Sequence, residues 1–193
     1  MIVKRSYFLF YTYLFSISLV VGQTDITPVI NDLNNRSKTQ TLEEFVEANK
    51  TLSLKDVKIN NQISLLTAKY YLRSKSLQGA TKAINAFWES APLENDSLLL
   101  SQKALAYELQ GHLFYLHKES DSSTYYFNKS STAYLTANNP KRAFYALNMS
   151  ATISYLYGHY FAGLKTAYDA LELADEYPIE ESMVADFEID IGN

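Results

Sequence analysis

The 193-residue chain has no cysteine, which excludes disulfides and thiolate metal centres and leaves all stability to packing. Proline and glycine are sparse, with four and six residues, so a β-sandwich rich in turns is not expected. There is no excess of positive charge. The formal net charge is −4, and without residues 1–22, which hold Lys4 and Arg5, it is −6. A nucleic-acid partner or an anionic membrane surface is therefore not expected. Nor is there a long apolar run after the N-terminal segment, so no later stretch is expected to cross a bilayer. Apolar residues make up 47% of the chain, including 16 tyrosines, as expected of packed helices.

At the front, Lys4 and Arg5 precede an uncharged run from Tyr7 to Val21, and Val20-Val21-Gly22 ends in a small residue. This pattern reads as a signal peptide over residues 1–22, cut before Gln23, and hence as an exported protein. An uncleaved anchor is the alternative. However, a run that includes Thr12, Ser16 and Ser18 falls short of the ~20 apolar residues that span hydrocarbon.

Beyond Asp56, apolar residues recur at helical spacing and proline falls only at the breaks, Pro92, Pro140 and Pro178. The spacing predicts helices over 58–75, 78–91, 97–117, 121–137, 140–157 and 160–176, with another beginning near 180. Residues 23–57 read as lead-in helices over 27–35 and 41–54, the second opened by Thr41 with Glu44 at a capping-box spacing. The fold class is all-α.

Self-comparison shows a repeat. Gly111 and Ala151, Lys118 and Gly158, Ser123 and Gly163, and Phe127 and Ala167 are each 40 residues apart. Small residues twelve apart recur in three hairpins: Ala68 with Ala80, Gly111 with Ser123, and Ala151 with Gly163. Bulky side chains on both helices where they cross would force them apart.

The pattern resembles the tetratricopeptide repeat, in which small residues occupy the eighth and twentieth places and an aromatic the eleventh. Ala68, Tyr71, Ala80 and Pro92 fall at places eight, eleven, twenty and thirty-two of the first hairpin. Gly111, Phe114, Ser123 and Phe127 fall at places eight, eleven, twenty and twenty-four of the second. Gly158, Tyr160, Gly163 and Ala170 lie at the turn and second-helix places of the third. Departures are Ser154 in place of an aromatic, Ala167 in place of a large residue, and a repeat longer than the usual ~34 residues. The resemblance covers 58–193 and implies an α-solenoid of antiparallel hairpins whose last repeat is incomplete. An array of this kind normally closes with a polar-faced helix, so the chain is expected to be the N-terminal part of a longer protein. Longer hairpins of this type resemble those of exported sensory and regulatory proteins of Gram-negative bacteria, which implies a periplasmic or cell-envelope location and a role in signal transduction.

Catalytic patterns are sparse. His112 and His117 are five apart, on different sides of a helix, which does not suit a shared metal. No phosphate-cradling loop or nucleophile elbow occurs. Acidic clusters at Glu43-Glu44, Glu180-Glu181 and Asp186, Glu188 and Asp190 suit helix starts and solvated faces. Five Asn-x-Ser/Thr sequons, at Asn35, Asn49, Asn95, Asn128 and Asn148, are read as chance matches unless the source is eukaryotic. No enzyme activity, metal or cofactor is expected.

The resemblance implies that the first helix of each hairpin lines a groove. Carried onto this chain, the groove residues are Gln62, Lys69 and Arg73, then Glu108, His112 and Tyr115, then Tyr145, Asn148, Thr152 and Tyr155. This mixed polar and aromatic lining suits a protein or extended peptide partner, and an ordinary wet surface is the plain alternative. Two other functions stay open: a self-stacking structural unit, and a hydrolase with an unrecognised cleft. A membrane partner is expected only if the N-terminal segment stays uncleaved or a later segment anchors the protein.

Overall fold

The computed structural model describes residues 26–49, 56–91 and 96–184. The expected signal peptide lies outside these residues, as does most of the helix expected from 180 onward. Among the described residues there is no strand, and eight helices follow one another: α1 (Thr27–Thr39), α2 (Leu42–Asn49), α3 (Val57–Arg73), α4 (Leu77–Ser90), α5 (Ser97–Leu116), α6 (Ser120–Thr136), α7 (Pro140–Leu156) and α8 (Tyr160–Glu176). Residues 181–184 are again helical. The six helices read after Asp56 agree with these to within two residues at either end.

Local chemistry sets the boundaries. Helices α3, α5 and α7 each start at a short polar side chain that accepts from a backbone N–H of the first turn. Asp56 accepts from Lys58 and Ile59, Asp96 from Leu99, and Asn139 from Arg142. The Asp96 carboxyl is held below its ordinary range by the Lys58 ammonium, then by the Leu99 N–H. At Thr41 the expected capping box forms: its N–H donates to Glu44 at 2.9 Å and the Glu44 N–H donates back to Thr41 Oγ1 at 3.3 Å. Proline stands at the first turn of α1 and α7, where its missing N–H costs nothing.

The hairpin turns share one construction. Lys75, Lys118, Asn138 and Gly158 all have positive φ, between 56° and 84°. In each turn the residue after donates back to a carbonyl five residues earlier: Ser76 to Tyr71, Glu119 to Phe114, Asn139 to Tyr134 and His159 to Ser154. These are Schellman turns, which satisfy the last carbonyls of one helix and reverse the chain. Only one of the four uses glycine, so the turn type is carried by position and not by composition.

Each helix packs on the next, and α3 also packs on α5. Where hairpins cross, the small residues meet. Ala68 and Ala80 are fully buried, Ser123 Oγ donates to the Gly111 carbonyl at 2.8 Å, and a Cβ on Gly163 would lie 3.1 Å from the Ala151 carbonyl oxygen. A second buried serine, Ser130, donates to the Ala104 carbonyl at 2.9 Å, which holds α6 close against α5. The apolar core runs along the stack as successive clusters. Phe45 anchors α1–α3, Phe87 the α3–α4–α5 layer, and Phe127 and Phe144 the layers from α5 to α8. The lead-in helix is tied in by polar bonds: Gln62 Nε2 donates to Asn34 Oδ1 at 2.7 Å, and Gln102 Nε2 donates to the Lys58 carbonyl at 2.8 Å and to Gln62 Oε1 at 3.2 Å.

Candidate protein-binding face

Helices α3, α5 and α7 are the first members of successive hairpins, and side chains reach between them along one side. The centre of that side is Glu108, buried to 5% exposure on α5. Its carboxylate accepts from Arg142 Nη2 on α7 at 2.5 and 2.6 Å and from the Tyr134 hydroxyl on α6 at 2.9 Å. The guanidinium carbon also lies 5.5 Å from the Tyr134 ring centre and 5.2 Å from that of Tyr145. Burial works most strongly against the Arg142 charge, but Glu108 and Tyr134 together outweigh it and raise the pKa overall. The Tyr134 phenol is pushed well up, by burial first and then by Glu108.

One turn along α5, His112 packs edge-on against Phe127 at 5.0 Å, and its Nε2 lies 3.3 Å from the Tyr145 hydroxyl. A neutral ring protonated on Nδ1 accepts from that phenol. Burial holds the His112 pKa below its ordinary value. Glu108 opposes this, and Arg142 and Lys69 reinforce it. The unfolded chain therefore takes up a proton as pH falls through about 6.5 while the folded ring stays neutral. Stability is expected to be full above that pH and to decline below it until the folded ring also protonates. Replacement of His112 with Gln should flatten this part of a urea-midpoint profile between about pH 7 and 5. An identical profile in both proteins would show that His112 is not the source.

The structure distributes the ten expected groove residues unevenly. Gln62 is buried in the link between α1, α3 and α5, and Glu108 is consumed by Arg142 and Tyr134. His112, Tyr145, Asn148, Thr152 and Lys69 are half-buried, and Thr152 Oγ1 donates to Asn148 Oδ1 at 3.1 Å. Lys69 is held below its usual range by burial, with Arg73, Arg142 and Lys38 adding like charge and Glu108 opposing. Arg73, Tyr115 and Tyr155 are exposed. A partner on this side thus meets Arg73, Tyr115 and Tyr155 directly, while Lys69, His112, Tyr145, Asn148 and Thr152 offer their edges.

No family model, curated protein or solved structure matches the chain.

Three features escaped the sequence reading. Arg142, 34 residues from Glu108, carries no local signal of its partner. Tyr134 likewise looks like core filler. The third is a set of exposed aromatics around the α7–α8 turn, for which a signal did exist: no Asp, Glu, Lys or Arg occurs between Arg142 and Lys165. Among the described residues no group of His, Asp and Glu could hold a metal, and no helix is long and apolar enough to cross a membrane. A depression of about 450 Å³ between α6, α7 and α8 has Lys165, Asp169, Glu172 and Glu176 on its wall, charged side chains of an open surface.

Proposed function

We propose that the chain is an exported scaffold of tetratricopeptide-like hairpins that binds a protein or an extended peptide along the side shared by α3, α5 and α7, without catalysis. The observation that carries this reading is the lateral linkage of three non-adjacent helices. Gln62 and Gln102 join α3 to α5, and Glu108 with Arg142 and His112 with Tyr145 join α5 to α7. A surface held rigid by such links is pre-organised, which lowers the ordering cost of binding. Its rim of Arg73, Tyr115 and Tyr155 combines a bidentate donor with large, stiff contact area. The net negative charge disfavours nucleic acid as the partner. Export follows from the N-terminal segment read as a signal peptide, and the cell envelope of a Gram-negative bacterium, with a place as the interaction or sensor region of a signalling protein, from the resemblance of the longer hairpins.

The test is selection of a displayed random-peptide library on the immobilised chain, followed by titration of the enriched peptides. The triple variant Arg73→Ala, Tyr115→Ala and Asn148→Ala is expected to bind them at least about tenfold more weakly, since truncated interface anchors typically cost above 1 kcal/mol each. Its helical circular dichroism should be unchanged. Absence of any enriched sequence, or equal affinity in the triple variant, would remove the site from this side.

A further inference from the structure

Around the turn from α7 to α8 the chain presents an apolar surface that its own hairpin does not require. At the end of α7, Tyr155, Leu156 and Tyr157 are exposed, and on α8 so are Tyr160, Phe161, Leu164 and Tyr168. Phe161 is 93% exposed and Tyr168 64%. The same places forty residues earlier, in the hairpin of α5 and α6, carry Ser120, Asp121, Thr124 and Asn128 in place of the four on α8. That hairpin folds with polar side chains there, so the aromatics of α8 are not needed to close their own turn or crossing. They stand apart from the buried stripe of the helix, Gly163, Ala167, Ala170 and Leu173. Among the described residues, Ile179, Met183 and Val184 pack with the cluster built on that stripe. Phe161, Leu164 and Tyr168 recur at i, i+3 and i+7, a second stripe along one side of the helix.

We infer that this face of α8 is the contact between two copies of the chain, related by a two-fold axis. Area is the first reason. The four α8 side chains, Tyr160, Phe161, Leu164 and Tyr168, present on the order of 550 Å² to solvent, the upper end for the largest apolar patch of a monomer and about two thirds of what each partner contributes to a standard interface. Charge is the second. Residues 143–164 contain no Asp, Glu, Lys or Arg, in a chain whose net charge of −4 repels its copies elsewhere. Lys165 and Asp169, the charges next to this stripe on α8, line the depression shared with α6, so the stripe itself offers nothing to a partner recognised through charge, whereas a copy of this chain needs only that no like charges meet. Geometry is the third. A two-fold axis perpendicular to α8 sets the two helices antiparallel, and a crossing at Leu164 then brings Phe161 of each copy beside Tyr168 of the other, once on each side of the axis. Aromatic pairs of this kind contribute beyond the area they bury.

The absence of cysteine makes the test direct, because a single introduced thiol reports on one position. Sedimentation of the full chain should show dimers at micromolar concentration, and the Phe161→Glu, Tyr168→Glu double variant should sediment as a monomer with the same helical circular dichroism. Under mild oxidation Leu164→Cys should cross-link to a dimer faster than Asn128→Cys, which places the thiol at an exposed position of α6 outside this face. A chain still monomeric at about 100 μM would overturn the inference and leave the face to another occupant. So would a double variant that dimerises like its parent, which would move association to another surface, such as the run from Tyr7 to Val21. Equal cross-linking at 164 and 128 would also overturn it.

Discussion

Replacing Arg142 with Met is expected to lower the unfolding free energy by about 3 kcal/mol, because it leaves the Glu108 carboxylate buried without its counter-charge. Methionine keeps most of the side-chain volume, so the loss is of charge and hydrogen bonds and not of packing. The figure sits at the lower end for a broken buried pair, since the Arg142 side chain is 38% exposed while that of Glu108 is only 6% exposed. Lys141–Glu180 makes the contrast. Its side chains are 52% and 63% exposed, and its removal should cost below about 1 kcal/mol. The double variant Glu108→Gln, Arg142→Met should recover most of the loss, because no buried charge is then left unmatched, and Gln can still accept from Tyr134. Urea unfolding of the single and double variants measures all of this. An Arg142→Met protein within about 1 kcal/mol of its parent would mean that water reaches Glu108 and that the three-helix side is not rigid there.

The second large effect is expected at the hairpin crossing. A Cβ on Gly111 would fall 2.8 Å from the Phe127 ring, below any real contact distance, and Phe127 is fully buried with His112 edge-on against it. The ring has nowhere to go. Helices α5 and α6 would have to separate, breaking the bond from Ser123 Oγ to the Gly111 carbonyl. Gly111→Leu should therefore cost about 3 kcal/mol, the upper part of the overpacking range. At Gly79 a Cβ would fall 2.5 Å from the Tyr71 ring, yet Tyr71 is only half-buried and can turn toward solvent. Gly79→Ala also gains helix propensity, roughly 1 kcal/mol, so its net effect should be small. Thermal unfolding of both variants compares the two sites. Equal melting temperatures for Gly111→Leu and the parent would show that the crossing lies elsewhere.

Much of the architecture was legible in the order of residues. Helix ends fell where the periodicity broke, and the small residues twelve apart marked the crossings at Ala68–Ala80, Gly111–Ser123 and Ala151–Gly163. The Thr41–Glu44 box formed as its spacing indicated. The turn type was less legible, since Lys75 and Lys118 adopt the left-handed conformation without glycine to announce it. The groove residues of α3, α5 and α7 were carried over place by place from the resemblance, and a place in a repeat does not separate a residue that meets solvent from one that meets another helix. Gln62 and Glu108 lie at groove places by count but are buried between helices. On α8 the ambiguity ran the other way. An apolar stripe at helical spacing reads as core, and only the packing leaves Phe161 and Tyr168 uncovered among the described residues.

The sequence by itself determined which segments are helical, where they start and turn, and where two of them can approach closely. These are set by interactions within about four or five residues, namely backbone hydrogen bonds, caps, reversed turns and the absence of side-chain bulk. Only the tertiary structure decided that Glu108 meets Arg142, that Gln102 spans from α5 to α3, and that one side of α8 carries aromatics to the surface. Those outcomes join groups 34 and 40 residues apart, or concern a face that no local rule pairs. They depend on how close-packed helices place their side chains relative to one another, and close packing is a property of the whole set of neighbours, not of any one segment.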